Sequence, residues 1–148
     1  DESLPVYGDG RQVRDWLHVA DHFAALRRVL ADGRPGEAYA IGGGSERANI
    51  DVVHEICAIL DRLRPRPDGR SYADQISFVK DRPGHDRRSA IDATRICREL
   101  GWKPAQQFES GLRKPVQWYL DHAAWVESVR TGAYREWITQ NYSERSKL

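Results

Sequence analysis

The run Gln75-Ile76-Ser77-Phe78-Val79, followed after Lys80 by Asp81-Arg82-Pro83-Gly84-His85-Asp86-Arg87-Arg88, decides how this chain is read. Its first half predicts a strand over 75–79, and the Pro-Gly pair predicts a turn just beyond it. A turn at the end of a strand presents side chains to a ligand on rigid support. This one carries two carboxylates, a histidine and three arginines. The planar guanidinium fork suits phosphate and carboxylate oxygens, so the cluster points to an anionic ligand. The competing reading is a solvated loop whose Asp and Arg residues pair with one another.

Outward from that loop, short strands alternate with helices, which predicts an α/β fold with a helical C-terminal tail. Residues 4–19 predict a turn-rich entry around Gly8-Asp9-Gly10 and then a strand over residues 12–19. Its period of two sets Arg14 and Trp16 on one face and Asp15 on the other. A helix from about Asp21 has Val19, Phe23, Leu26 and Leu30 at helical spacing and stops at Gly33. Residues 37–41 predict a short strand running into Gly42-Gly43-Gly44. The clearest helix carries Val52, Val53, Ile56, Ile59, Leu60 and Leu63 as one stripe, and Pro65 and Pro67 forbid its continuation. Residues 64–74 predict a polar loop. Beyond the charged turn, Asp92 predicts an N-cap for a helix with Ile96 and Leu100, ended by Gly101.

The last third predicts three helical pieces, around Leu112 to Leu120, Trp125 to Val129, and Tyr134 to Ile138. Pro115 sets a kink or a late start in the first of them. No internal repeat, low-complexity segment or strong linker divides the chain.

At 148 residues, with 40% apolar and 30% charged side chains, the chain is long enough for one domain with its own core. No apolar run approaches the roughly 20 residues needed to cross a bilayer. The N-terminus resembles neither a secretory signal nor a transit peptide, so the expectation is a cytoplasmic protein with no membrane partner. The first residue is not Met, which predicts a processed product or a cut piece. A net charge of +1 leaves little counterion release and argues against nucleic acid, despite 19 Arg against 4 Lys. Cys57 and Cys97 fall on apolar helix faces and read as buried thiols in a reducing compartment.

Gly8-x-Gly10 and Gly42-Gly43-Gly44 invite a phosphate-loop reading, but neither completes G-x-G-x-x-G or ends in Gly-Lys-Ser/Thr, and both read as turns. Arg14 reaches a ligand phosphate or is an ordinary strand-edge charge, with Trp16 in the core. Asn49 bonds a ligand from a helix N-terminus, where free N–H groups favour anions, or simply caps the helix. Of five histidines, only His18 and His22 have metal-like spacing, and they straddle a strand-to-helix change, so no metal site is expected. There is no Tyr-x-x-x-Lys and no acid/base constellation. Binding chemistry is present and catalytic residues are not.

Several segments carry a resemblance. They are Leu4-Pro5-Val6-Tyr7-Gly8-Asp9-Gly10, Val13-Arg14-Asp15-Trp16-Leu17, Asp21-His22, Tyr39, Ile41-Gly42-Gly43 and Asn49-Ile50-Asp51-Val52-Val53. The run 81–88 with Ala90-Ile91-Asp92, then Gly101-Trp102-Lys103-Pro104, and Gly132-Ala133-Tyr134 with Trp137-Ile138 and Asn141-Tyr142 continue it. From nearly the first residue to the last they resemble the C-terminal half of extended short-chain dehydrogenases acting on nucleotide sugars. The Gly10 to Asp15 start is shared with sugar-nucleotide epimerases and decarboxylases. The 81–88 run and the aromatic tail are similar to the dTDP-glucose 4,6-dehydratase family in particular.

The resemblance implies a Rossmann-type fold in two parts. An N-terminal half, absent here, holds NAD and the catalytic residues. Residues 1–148 form the C-terminal portion that binds the nucleotide sugar. The implied activity is that of a lyase turning dTDP-glucose into dTDP-4-dehydro-6-deoxyglucose and water, by way of a transient hydride on NAD, in deoxysugar and rhamnose biosynthesis. A homodimer is implied for the full-length enzyme. The family's substrate-binding positions fall on Pro5, Val6, Tyr7, Arg14, Asn49 and on Asp81, Arg82, Pro83, Gly84 and His85. In keeping with that, Arg14 and Arg82 can neutralise a diphosphate, Asn49 can bond it or the ribose, and the Tyr7 segment can flank thymine. The chain departs from the family at Gly44 and Ser89, where a larger polar residue and a Tyr are expected, and at His18, where Tyr is common.

The chain alone is expected to be inert. The alternatives are the equivalent part of a UDP-sugar epimerase or decarboxylase, and a stand-alone nucleotide-sugar-binding module without catalysis.

Overall fold

A computed structural model describes residues 3–132 and residue 135. Two compact units divide the chain, one ending at Lys114 and the other starting at Pro115. The boundary falls inside a helix, at the one residue there that cannot donate an i→i−4 hydrogen bond.

The first unit is α/β. Strand β1 (Leu4–Tyr7) pairs in parallel with β4 (Ile76–Val79), Leu4 opposite Ile76 and Tyr7 opposite Val79. The 4–19 segment thus begins with a strand where only a turn-rich entry is legible. Pro5 disguises it, since a proline is tolerated in a strand only where its missing N–H costs no ladder bond. A second sheet has β2 (Val13–Asp15) at its centre, antiparallel to β3 (Glu46–Ala48) and parallel to β5 (Arg88–Ser89). β2 is shorter than expected and stops at Asp15, so the alternation does not extend to Trp16.

Helix α1 (Val19–Asp32) starts two residues before the expected Asp21, with the His18 ring accepting from the Ala20 N–H as its cap. It packs on α3 (Thr94–Leu100) in a core of Ala25, Ile96, Leu100 and Trp102, with Leu17, Val29, Tyr39 and Ile41 against it. The buried face of α1 therefore runs through Asp21, Ala25 and Val29. The stripe Val19, Phe23, Leu26 and Leu30 lies exposed, Phe23 at 62% and Leu30 at 87%. Buried Asp21 is satisfied by the Gln106 N–H at 2.9 Å.

Helix α2 (Asn49–Leu63) buries Val52, Cys57 and Ile59, and a short 3₁₀ turn, Tyr72–Gln75, leads from its loop into β4. Residues 37–41 carry no strand pairing among the described residues, and Tyr39 and Ile41 pack against the core instead. Asp92 sits one position before the cap of α3 and still accepts the Thr94 N–H at 2.9 Å. Gly101 ends that helix in the left-handed conformation.

The second unit holds the rest of α4 (Phe108–Asp121) and α5 (Ala123–Arg130). There Trp118 stacks on His122 and meets Trp125 edge-on. The expected piece around Tyr134, Trp137 and Ile138 lies outside the described residues. No helix among the described residues is long and apolar enough to cross a membrane.

Candidate functional site

A cavity of about 450 Å³ opens between β1 and the first half of α2. Pro5, Val6 and Tyr7 form one wall. Asn49, Val52, Val53 and Ile56 form the other, because residues three and four apart share one helix face. Gly10, Trp16, Arg82 and His85 complete the lining. An apolar crevice lined by Leu4, Cys57 and Leu60 continues the same gap between β1 and α2. β1 and β4 are parallel, so Tyr7 and the loop carrying Arg82 and His85 stand at the carboxyl ends of neighbouring strands. In open α/β sheets that is where ligands bind.

The charged loop is fastened to the first fifteen residues and to β3. Arg87 donates to both Asp9 carboxylate oxygens, at 2.8 and 3.0 Å, and Arg88 forms a bidentate pair with Glu46 at 2.7 and 2.8 Å. Arg14 donates one amino group to the carbonyls of Val13 and Asp86. Gly8 has a φ of 61°, and a side chain there would run into the Asp81 carboxylate, so a glycine is what lets the loop close down. Two of the three loop arginines are thus anchors. Arg82 makes no ion pair among the described residues; its guanidinium lies 5.9 Å from the Tyr7 ring centroid, at the cavity.

Asp81 accepts from His85 Nδ1 at 2.7 Å, from Gln12 Nε2 at 2.8 Å and from the Arg82 N–H at 2.8 Å. The His85 bond, foremost, holds its carboxyl below the usual range. Bonds from Arg87 and Arg88 do the same for Asp9 and Glu46. Burial pushes the Cys57 thiol up, in keeping with a packed and unreactive sulfur.

Six of the ten residues expected to bind ligand line this one cavity: Pro5, Val6, Tyr7, Asn49, Arg82 and His85. Arg14, Asp81, Pro83 and Gly84 do not line it; Arg14 and Asp81 hold the loop that does. Ala48 occupies the cap position of α2 and no side chain caps the helix, so Asn49 is not spent as a cap. The first N–H groups of α2 are partly taken, Asn49's by the Gln12 carbonyl and Ile50's by the Gly10 carbonyl, which corrects the expectation of a free anion-binding terminus.

Trp16, Val52, Val53, Ile56 and Gly10 are lining residues that sequence reasoning left in the core or in turns. For the helix residues the signal was present, since Asn49 shares their face. For Trp16 it was not, because the strand ends one residue before it.

A cavity of about 520 Å³ lies between Gly42–Gly44 and α3. Asp15 accepts the Gly43 and Ser45 N–H groups at 2.8 Å each, and a Cβ at Gly43 would strike the Trp16 carbonyl. Those two N–H groups are thereby taken, and Arg98 is the only charged side chain in the cavity lining among the described residues.

Fold and cavity together define an α/β unit of the extended short-chain dehydrogenase type. The chain belongs to the GDP-mannose 4,6 dehydratase family, whose profile matches residues 1–115. It is similar to the dTDP-glucose 4,6-dehydratase of Escherichia coli, 57% identical over 144 residues, which are 97% of this chain and 39% of that protein. Against the dTDP-glucose 4,6-dehydratase of Xanthomonas campestris it is 60% identical over 134 residues, 90% of this chain and 38% of that one. The crystal structure of dTDP-glucose 4,6-dehydratase from Bacillus anthracis, in complex with NAD, superimposes with a TM-score of 0.72 at 44% identity, covering 84% of this chain and 36% of that one. The chain therefore spans less than two fifths of the length of the relatives it matches.

Proposed function

We propose that the chain is the C-terminal nucleotide-sugar-binding portion of a dTDP-glucose 4,6-dehydratase, the enzyme that converts dTDP-glucose to dTDP-4-dehydro-6-deoxyglucose and water. The observation that carries this is the gathering of Tyr7, Asn49, Arg82 and His85, from three separate segments, around one cavity with apolar walls. In this reading the unpaired Arg82 meets the diphosphate, Asn49 bonds the diphosphate or ribose, and the Pro5–Tyr7 wall flanks the thymine. Arg14 serves at one remove, by holding the Asp86 carbonyl and with it the loop.

NAD does not fit the described residues. In the Gly42–Gly44 turn the Gly43 and Ser45 N–H groups are bonded to Asp15, and the cavity beside it holds Arg98 as its only charged side chain among the described residues. NAD and the catalytic groups belong, in this proposal, to a preceding part of a homodimeric enzyme. The exposed Val19, Phe23, Leu26 and Leu30 face of α1 packs on that part, since the relatives carry far more chain than is present here.

Calorimetric titration of the full-length protein with thymidine diphosphate and uridine diphosphate tests the binding claim. Preference for thymidine diphosphate is expected, and preference for uridine diphosphate would turn the assignment to a UDP-sugar epimerase or decarboxylase. The pure 148-residue chain, given NAD and dTDP-glucose, should show no turnover. Measurable turnover would overturn the division of labour.

A further inference from the structure

Gln12 is 2% exposed and stands between the Gly8-Asp9-Gly10 turn and β2. It bonds two segments of the site. Its carbonyl accepts the N–H of Asn49 at 3.0 Å, where α2 enters the cavity wall. Its Nε2 donates to Asp81 Oδ2 at 2.8 Å, and the other Asp81 oxygen holds the His85 ring. Its Oε1 is buried with no partner among the described residues. Turning the amide over would set that oxygen against the Asp81 carboxylate, so the orientation is fixed by charge. A buried amide oxygen without a donor is unfavourable, and an apolar side chain of similar volume would fill the position without leaving one. What the glutamine supplies and an apolar side chain would not is the bond to Asp81.

We propose that Gln12 is a positioning residue: through Asp81 it fixes the His85 ring so that Nδ1 carries the proton and Nε2 is an acceptor at the cavity. A carboxylate only accepts, so the bonded Nδ1 must donate, and the neutral ring then keeps its lone pair on Nε2. The His85 side chain is 6% exposed and lines the cavity, so that lone pair is offered to a hydroxyl or N–H of the bound molecule. The Asp81 carboxyl, held below its usual range by His85 and the Arg82 N–H and more weakly by Gln12, stays ionised at neutral pH. The step at the ligand rests on the nucleotide-sugar reading; the Gln12–Asp81–His85 relation does not.

The test uses the full-length protein labelled with ¹⁵N-histidine, the His85 signals being assigned by their loss in His85→Gln. Wherever the ring is uncharged, the wild type should show Nδ1 protonated and Nε2 with a free lone pair. Gln12→Met should mix the two tautomers and weaken thymidine diphosphate binding about threefold to tenfold, the equivalent of one hydrogen bond. Asp81→Asn, which leaves Gln12 packing in place, should move the same signals further. Unchanged His85 signals in either variant overturn the proposal, whether or not affinity falls, because a merely structural role would lower affinity without touching the tautomer. If the signals move as expected but no form binds thymidine diphosphate, the positioning role stands and the nucleotide-sugar reading fails.

Discussion

Helices α1 and α2 are 14 and 15 residues long and both repeat apolar side chains at helical spacing, yet among the described residues only α2 covers its stripe. In α2 the stripe packs toward β1, and its first turns become a wall of the cavity. In α1 the packed face is a narrower row, Asp21, Ala25 and Val29, and the broad row of large side chains faces out. A periodic apolar row states that a face wants a partner and leaves open which partner. For α1 the comparison points beyond this chain; for α2 it ends inside it.

Truncation separates the two helices most sharply. Ile59→Ala on α2 should cost about 2–5 kcal/mol in urea unfolding of the chain, the range for a buried isoleucine. Leu30→Ala on α1 should stay within about 0.5 kcal/mol, as an exposed change does. Equal costs would break the contrast. Phe23→Glu carries the same test into solution: sedimentation should find the isolated chain less self-associated, whereas in the full-length protein the change should destabilise.

The next effect belongs to the cavity rim, where the loop arginines divide in the same way into engaged and unengaged. Arg82→Ala should lower thymidine diphosphate affinity about tenfold to hundredfold, the usual weight of a charged hydrogen bond. Arg87→Ala removes an exposed pair with Asp9 and should cost about threefold or less.

The smallest effect is a pH slope. The Asp9, Glu46 and Asp81 carboxyls are all lowered in the folded chain, by Arg87, Arg88 and His85 respectively. A depressed folded value gives stability that is present above the unfolded value and lost as pH falls through the folded one. Denaturation midpoints should therefore drop below about pH 4, and Asp81→Asn should flatten that drop.

Much of this was legible locally. The α2 stripe and its proline stop, the Gly101 end of α3 and the strand before Asp81 each depend on a few neighbouring residues. So do the turns at Gly8-Asp9-Gly10 and Gly42–Gly44, where backbone freedom matters and phosphate binding does not follow. The first strand was hidden by Pro5, and the outward face of α1 by the ordinary expectation that large apolar side chains turn inward. The family motifs drew together the residues that line the cavity, but motifs do not distinguish a residue that faces a ligand from one that holds its neighbour. Arg14 and Asp81 bond the loop and lie outside the cavity lining, and Trp16, inside a family motif but not among the expected binding residues, lines the wall.

What the sequence determined by itself is whatever is set by short-range steric and hydrogen-bonding preference: where helices stop, where the chain turns, and which rows of side chains are apolar. What only the tertiary structure decided is which charges meet. Gln12 reaches Asp81 across 69 residues and Arg87 reaches Asp9 across 78. Such pairs depend on the parallel alignment of β1 and β4, which brings the two turns to the same end of the sheet. No local preference encodes them, and the division of the charged loop into anchors and a free Arg82 follows from that long-range closure.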